Sequence, residues 1–290
     1  MILALDIGNS SISCGVFSLT SNTDTASSKI PESICSFKIA SKSLSFDEYL
    51  LLFYQFLKLY SIVPAESFYS YAPGLKSDEL TEHTPSLKAA VISSVVPSLT
   101  ETICKVAKVL TGSHPLIIGA GIRTGFGIKI KNPEQLGADI VANTAGAMLY
   151  ADTPFVILDI GTATTITYVN KDKELLGTII IPGISVSLSA LTDSAALLST
   201  VPLDKPQELL GKTTSDSIRS GVLGGHALMI DGFLRNIREQ YPSEEKIGLI
   251  ATGGLAECIL PFCRNRFQYI HDLTLIGAFT LFRKNRFCQR

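Results

Sequence analysis

Phe155-Val-Ile-Leu-Asp-Ile-Gly-Thr-Ala-Thr-Thr-Ile-Thr-Tyr-Val169 decides how this chain is read. A run of apolar and β-branched residues enters the tight turn Asp159-Ile160-Gly161-Thr162 and leaves as Thr, Ile, Tyr and Val, the pattern of a β-hairpin. Gly161 lets the backbone come close to a bound group, Thr162, Thr164 and Thr165 offer hydroxyls and amides, and Asp159 sets a carboxylate at the end of a buried strand. That composition fits a site for phosphate and a cation.

The N-terminus repeats the plan in Met1-Ile-Leu-Ala-Leu-Asp-Ile-Gly-Asn-Ser-Ser-Ile-Ser-Cys-Gly-Val-Phe17, and Leu5-Asp6-Ile7-Gly8 is identical to Leu158-Asp159-Ile160-Gly161. The second copy begins near the middle of 290 residues. The chain therefore reads as two similar halves, 1–135 and 136–290, each opening with a strand, a polar Gly turn and a returning strand. One copy alone is also what a hairpin with a self-satisfied Asp and Ser/Thr turn looks like. Two copies facing each other would clasp the phosphates of a nucleotide.

Composition narrows the partners. Apolar residues make up 46% of the chain, enough to fill two cores, and short apolar runs alternating with helical stretches predict an α/β class. A net charge of -1 and a pI near 6.4 give no general attraction to nucleic acid or an anionic membrane, so a small-molecule partner is expected. Mean hydropathy is high at +0.31, yet no apolar run approaches the about 18 residues of a membrane span. Residue 2 already lies in a strand with no basic stretch before it, which argues against a signal peptide and for a cytoplasmic protein. The six cysteines include no CxxC pair and none lies beside a His at zinc-ligand spacing; both they and the four dispersed histidines read as structural, although His226 follows Gly224-Gly225 and could approach a ligand.

The remaining chain supplies the scaffold. Ile34-Cys-Ser-Phe-Lys-Ile39 alternates as a strand, and Ser45-Phe-Asp-Glu48 is a capping box opening a helix to about Tyr60. Residues 64–87, with three prolines, read as a loop. Ala89-Ala-Val-Ile-Ser-Ser-Val-Val96 is a buried strand, followed by a helix at 98–110 and strands at 116–118 and 128–130. Gly137-Ala-Asp139 opens a helix of small residues with Asp139 in its first turn, where a carboxylate can face a cleft. A third strand over 175–181, helices at 185–198 and 221–237, a strand turning at Gly253-Gly254, where adenine or ribose could lie, a helix at 275–282 and a basic tail at 283–290 complete the reading.

Three ligand-facing turns, at Asp6, at Asp159 and at Gly253-Gly254, resemble the order of two phosphate motifs and an adenosine motif in the acetate and sugar kinase, heat-shock chaperone and actin superfamily. Within it, over nearly its full length, the chain is similar to the type III pantothenate kinases. The resemblance rests on Asp6-Ile-Gly-Asn-Ser10, Ser94-Val-Val-Pro97, Asn132-Pro133, Gly137-Ala-Asp139, Asp159-Ile-Gly-Thr-Ala163, Ile181-Pro-Gly183 and Leu273-Thr-Leu-Ile-Gly277. It implies two ribonuclease-H-like domains with mixed sheets flanked by helices. It further implies that Asp6, Ile7, Gly8, Asn9, Ser10, Ser11, Ile12 and Ser13 hold the phosphates of ATP, with magnesium helped by Asp6. Thr162 would touch ATP, and Asp159 would ligate a potassium or ammonium ion. Gly137, Ala138, Asp139, Ile140 and Thr214 would meet pantothenate, with Asp139 as general base, yielding 4'-phosphopantothenate at the entrance to coenzyme A synthesis. A homodimer is expected by the same analogy.

The chain departs from the family at four places. Ile140 stands where Arg is usual, Ile130 where a Tyr is usual, Thr167 where Asp is common, and Gly177-Thr178 replaces Gly-Gly. An Arg that pairs with a carboxylate has no substitute in Ile. A family relative with an altered substrate, acting as a nucleotide-binding or regulatory protein, is therefore a second expectation, and an actin-like structural ATPase a third.

Overall fold

The computed structural model describes residues 1–19, 30–72, 74, 86–194, 201–202, 208–242 and 246–286. In chain order its elements are β1 (Ile2–Ile7), β2 (Ser11–Phe17), β3 (Ser33–Ala40), α1 (Phe46–Leu59), α2 (Glu66–Tyr71), β4 (Ala89–Ser94), α3 (Pro97–Thr111), β5 (Leu116–Ile117), β6 (Gly127–Ile128) and α4 (Ala138–Ala147). There follow β7 (Phe155–Ile160), β8 (Ala163–Val169), β9 (Glu174–Pro182), α5 (Ile184–Ser194), α6 (Thr214–Arg219), α7 (Gly225–Gln240), β10 (Gly248–Thr252), α8 (Ala256–Ile259), β11 (Gln268–Tyr269) and α9 (Leu273–Arg286).

Two compact units form. The first comprises Met1–Gly125, Asn132–Tyr150 and Leu273–Arg290, the second Phe126–Lys131 and Ala151–Asp272. In the first, the sheet order is β3-β2-β1-β4-β5; in the second, β9-β8-β7-β10-β11 with β6 added beside β9. Each sheet is thus an antiparallel three-strand meander continued by two parallel strands. The duplication expected from one repeated tetrapeptide holds strand for strand. β1 and β7 sit at equivalent central places, and their apolar residues are 0–2% exposed, as strands covered on both faces require.

The units do not follow the division at 135/136. The helix carrying Asp139 and the last helix both return to the first unit, because α4 and α9 pack backbone to backbone. A Cβ on Gly277 would overlap the Ala142 carbonyl, and one on Gly146 would stand 2.6 Å from the Leu273 carbonyl oxygen. Phe279 of α9 stacks on Phe17 of β2 at 4.7 Å between ring centroids, fixing the helix pair against the first sheet. Thr274 Oγ1 donates to Asn143 Oδ1 across the same seam at 2.7 Å. The small residues of α4 serve this close approach.

Other boundaries move for local reasons. The Ser45 capping box forms as its sequence predicts, Ser45 Oγ accepting from the Glu48 N–H and Glu48 Oε2 from the Ser45 N–H. Residues 66–71, expected as loop, make a helical turn and more, held by Phe68, which is 1% exposed and stacks on Tyr54. Residues 73 and 75–85 of that stretch, 195–198 of the helix expected at 185–198, and 287–290 of the tail lie outside the described residues. The helix expected to start at 221 instead starts at Thr214, capped by the Thr213 hydroxyl, and runs through a π-helical turn at Ser220–Gly224 into α7. The last helix is longer than expected at both ends.

Candidate active site

The first polar turn joins β1 to β2. Gly8 N–H donates to Ser11 O at 3.0 Å, while Ser41, the residue directly after β3, donates its N–H to Ser10 O (3.1 Å) and its Oγ–H to Gly8 O (2.6 Å). Asn9 and Ser10 are exposed, Gly8, Ser11 and Ser13 half-buried. Ile7 and Ile12 are fully buried, so these two can offer a phosphate only their backbone. Asp6 lies in register between Ser13 of β2 and Ser93 of β4, and Ser93 Oγ, itself fully buried, donates to Asp6 Oδ1 at 2.8 Å. Neither Ser41 nor Ser93 was a sequence candidate; only the pairing of β1 with β4, across 87 residues, brings Ser93 to the carboxylate.

A hydrogen bond from a buried hydroxyl to a carboxylate contributes about 1.5–3 kcal/mol. Ser93→Ala is accordingly expected to lower kcat/KM for ATP by about tenfold or more while the melting curve stays cooperative, as steady-state kinetics beside thermal melts will measure.

The second turn, between β7 and β8, is one residue shorter: Asp6 pairs with Ser13, but Asp159 pairs with Thr165. Gly161 N–H donates to Ala163 O at 3.1 Å, and Gly183, directly after β9, donates to Thr162 O at 3.0 Å. Thr162 is exposed and Asp159 half-buried. Asp159 lies between Thr165 and Thr252, as Asp6 lies between two serines, although Thr252 Oγ1 donates to His271 O at 3.3 Å. Two glycines press on this turn. A Cβ on Gly183 would overlap the carbonyls of Gly161 and Thr162, and Gly253, at φ +98°, lies against the backbone of Ile160, whose oxygen accepts from Leu255 N–H at 3.2 Å. Gly183→Ala must push the turn out of place; nucleotide affinity is expected to fall at least about tenfold, measured by calorimetry, with the secondary-structure content unchanged.

Asp139 is the second residue of α4, after the N-cap Gly137. Its Oδ1 accepts from the Ile140 N–H at 2.8 Å, and a Cβ on Gly137 would overlap that same oxygen, so a larger residue there would turn the carboxylate aside. Burial pushes the Asp139 carboxyl above the ordinary carboxylate range, against the opposing pull of the N–H groups of Ile140 and Asp139 itself. A carboxyl tuned this way is a better proton acceptor than an exposed one. Ala138 and Ile140 are 7% and 6% exposed, packed into the unit rather than presented outward.

The expected site residues thus fall into two groups. Asp6 to Ser13 and Gly137 to Ile140 belong to the first unit, where the sequence division had set Asp139 apart from Asp6; Asp159, Thr162 and Thr214 belong to the second. Thr214 is exposed at the first turn of α6.

His226 is 4% exposed, and its Nε2 lies 2.9 Å from Thr164 Oγ1. Burial lowers its pKa below 6.5, so the unfolded chain binds the proton first. Stability that is full above about pH 6.5 is therefore lost as pH falls below that value. Thermal melts between pH 7.5 and 5.5 are expected to shift down more for the wild type than for His226→Gln. Thr167 and Thr178 are cross-strand partners whose hydroxyls lie 3.2 Å apart. Among the described residues, no group of three or more His, Cys, Asp and Glu is arranged to hold a metal ion, and no helix is long and apolar enough to cross a membrane.

A family model for type III pantothenate kinase matches residues 2–236. The chain belongs to the type III pantothenate kinase family. It is a phosphotransferase family, and both polar turns, Asp139 and Thr214 fall within the matched span, whereas Gly253 and α9 lie beyond it. Among solved structures, the chain is similar to a protein assigned to the Baf family of transcriptional activators from Campylobacter jejuni, at 18% identity, a TM-score of 0.54 and 98% coverage of both chains. It is also similar to one assigned as a 2-dehydro-3-deoxygalactonokinase from Sinorhizobium meliloti, at 12% identity, a TM-score of 0.52 and 98% coverage of both chains. These likenesses show the fold that the chain shares with them, a duplicated α/β architecture of mixed sheets flanked by helices.

Proposed function

We propose that this type III pantothenate kinase family member transfers the γ-phosphoryl group of ATP to the primary hydroxyl of pantothenate, giving 4'-phosphopantothenate and ADP. The observation that carries this reading is Asp139, a carboxyl at the head of a helix whose proton affinity is raised by burial and which lies directly against Gly137. As the hydroxyl oxygen attacks the γ-phosphorus, Asp139 takes its proton and the bond to the bridging oxygen of ADP breaks. The polar turn after Asp6 supplies backbone amides and hydroxyls for the phosphates, and Asp6 aids the magnesium that accompanies ATP. Magnesium neutralises charge on the phosphates when bound. Thr162 contacts the nucleotide and Asp159 a monovalent cation, potassium or ammonium; Gly137 to Ile140 and Thr214 meet pantothenate.

A homodimer and a cytoplasmic location complete the proposal. Support for self-association comes from one exposed helical face, where Gly221 and Gly225 have open space in front of them and Leu228 is 55% exposed.

A second reading, a relative with an altered substrate or a nucleotide-binding regulator, is favoured by Ile140: its side chain is packed inward and offers a carboxylate nothing. Titrating pantothenate into protein loaded with a non-hydrolysable ATP analogue separates the two. Saturable heat at one site per chain is expected for the kinase; none, with analogue binding intact, overturns it in favour of the second reading. Ile140→Arg strengthening pantothenate binding would mark that position as part of the pocket.

A further inference from the structure

The two phosphate turns are fastened alike but not equally. In each unit the residue that follows the third strand of the meander donates its backbone N–H to a carbonyl of the turn: Ser41 to Ser10 in the first, Gly183 to Thr162 in the second. The registers place these as equivalents, since Ala40 pairs with Ser11 and Pro182 with Ala163. The first turn holds one peptide group more than the second, and its extra peptide, Gly8 to Asn9, is gripped by the one feature Gly183 lacks, the Ser41 hydroxyl, at 2.6 Å from Gly8 O.

That grip has an electrostatic consequence. In a planar trans peptide the C=O and the following N–H point in opposite directions. With the Gly8 and Ser10 carbonyls both turned to Ser41, the N–H groups of Asn9 and Ser11 are both directed away from it. Amides facing one side make a site for an anion; had either peptide flipped, a carbonyl oxygen would face the phosphate instead. Ser41 lies 33 residues from Gly8 in sequence and is half-buried, and no site role attaches to it in the reading above.

We propose that Ser41 is a positioning residue that fixes the polarity of the first phosphate turn, so that the Asn9 and Ser11 amides meet the phosphates of ATP. The proposal rests on the kinase reading and assigns Ser41 to the phosphates rather than to adenosine. The test uses the full chain with Ser41→Ala and the hydroxyl-retaining Ser41→Thr, measuring displacement of a fluorescent ATP analogue by ATP and by adenosine, beside thermal melts. Ser41→Ala is expected to weaken ATP about tenfold while adenosine binds as in the wild type, and Ser41→Thr to stay within about threefold of wild type for both. Equal ATP affinity in Ser41→Ala overturns the proposal, and so does a parallel loss of adenosine, which would mark a general disturbance of the fold. A wild-type chain that binds no nucleotide overturns the kinase reading itself, whereas wild-type binding with an indifferent Ser41→Ala overturns only the role of Ser41.

Discussion

Asp139→Asn is expected to lower kcat by about 10²–10⁴-fold, the usual contribution of a positioned general base, while leaving the fold intact and the protein slightly more stable at neutral pH. Loss of activity follows because an amide cannot accept the hydroxyl proton. The stability gain follows from linkage. Burial raises the Asp139 pKa, so in the window between the ordinary value of 3.8 and the folded value the native state holds more protons than the unfolded one. Stability therefore declines as pH rises through that window, and above it the native chain carries a half-buried charge at a standing cost. Asn removes that charge and still accepts from the Ile140 N–H. Melting curves are thus expected to favour Asp139→Asn at pH 7.5, with the advantage shrinking as pH falls toward the ordinary carboxylate range. A variant within tenfold of wild-type kcat would remove Asp139 from the chemistry.

Gly277→Ala has the largest expected effect on the fold. Its Cβ would overlap the Ala142 carbonyl, and neither helix backbone can yield without opening the α4 and α9 seam, where Gly277 also faces the Gly146 amide and Thr274 bonds Asn143. Overpacking against backbone costs about 3 kcal/mol or more, which in a chain of this size lowers the melting midpoint by about 5–10 °C. Because α4 carries Asp139, the same substitution is expected to depress activity at temperatures where the protein remains folded. Calorimetric melting beside kinetics at 15 °C would measure both. An unchanged midpoint would contradict the close packing of these helices.

What could be read from the sequence was local, and what could not was set by distance along the chain. The hairpins at Asp6 and Asp159 were legible because alternation, a Gly turn and a repeated tetrapeptide are all encoded within 15 residues or so. The Ser45 capping box was legible for the same reason. The unit boundary was not: α4 and α9 belong with β1 because Gly146 and Gly277 let backbones meet across more than 120 residues, and a small-residue helix carries no sign of which partner it will approach. Ser93 and Ser41 were missed likewise, since a serine at a strand end is ordinary until strand pairing sets it beside a carboxylate or a turn carbonyl. The helix at 66–71 was hidden by flanking prolines, although burial of Phe68 under Tyr54 outweighs them. Thr167 and Thr178 read as two separate departures and form one hydrogen-bonded pair.

The most direct measurement is phosphorus NMR of the wild-type protein incubated with ATP, magnesium, potassium and pantothenate. A phosphomonoester resonance growing in step with ADP, absent when pantothenate is omitted and slowed about a hundredfold or more with Asp139→Asn, is the predicted result. ATP left intact under conditions in which the protein demonstrably binds it, or cleaved at the same rate to inorganic phosphate with and without pantothenate, would contradict the account.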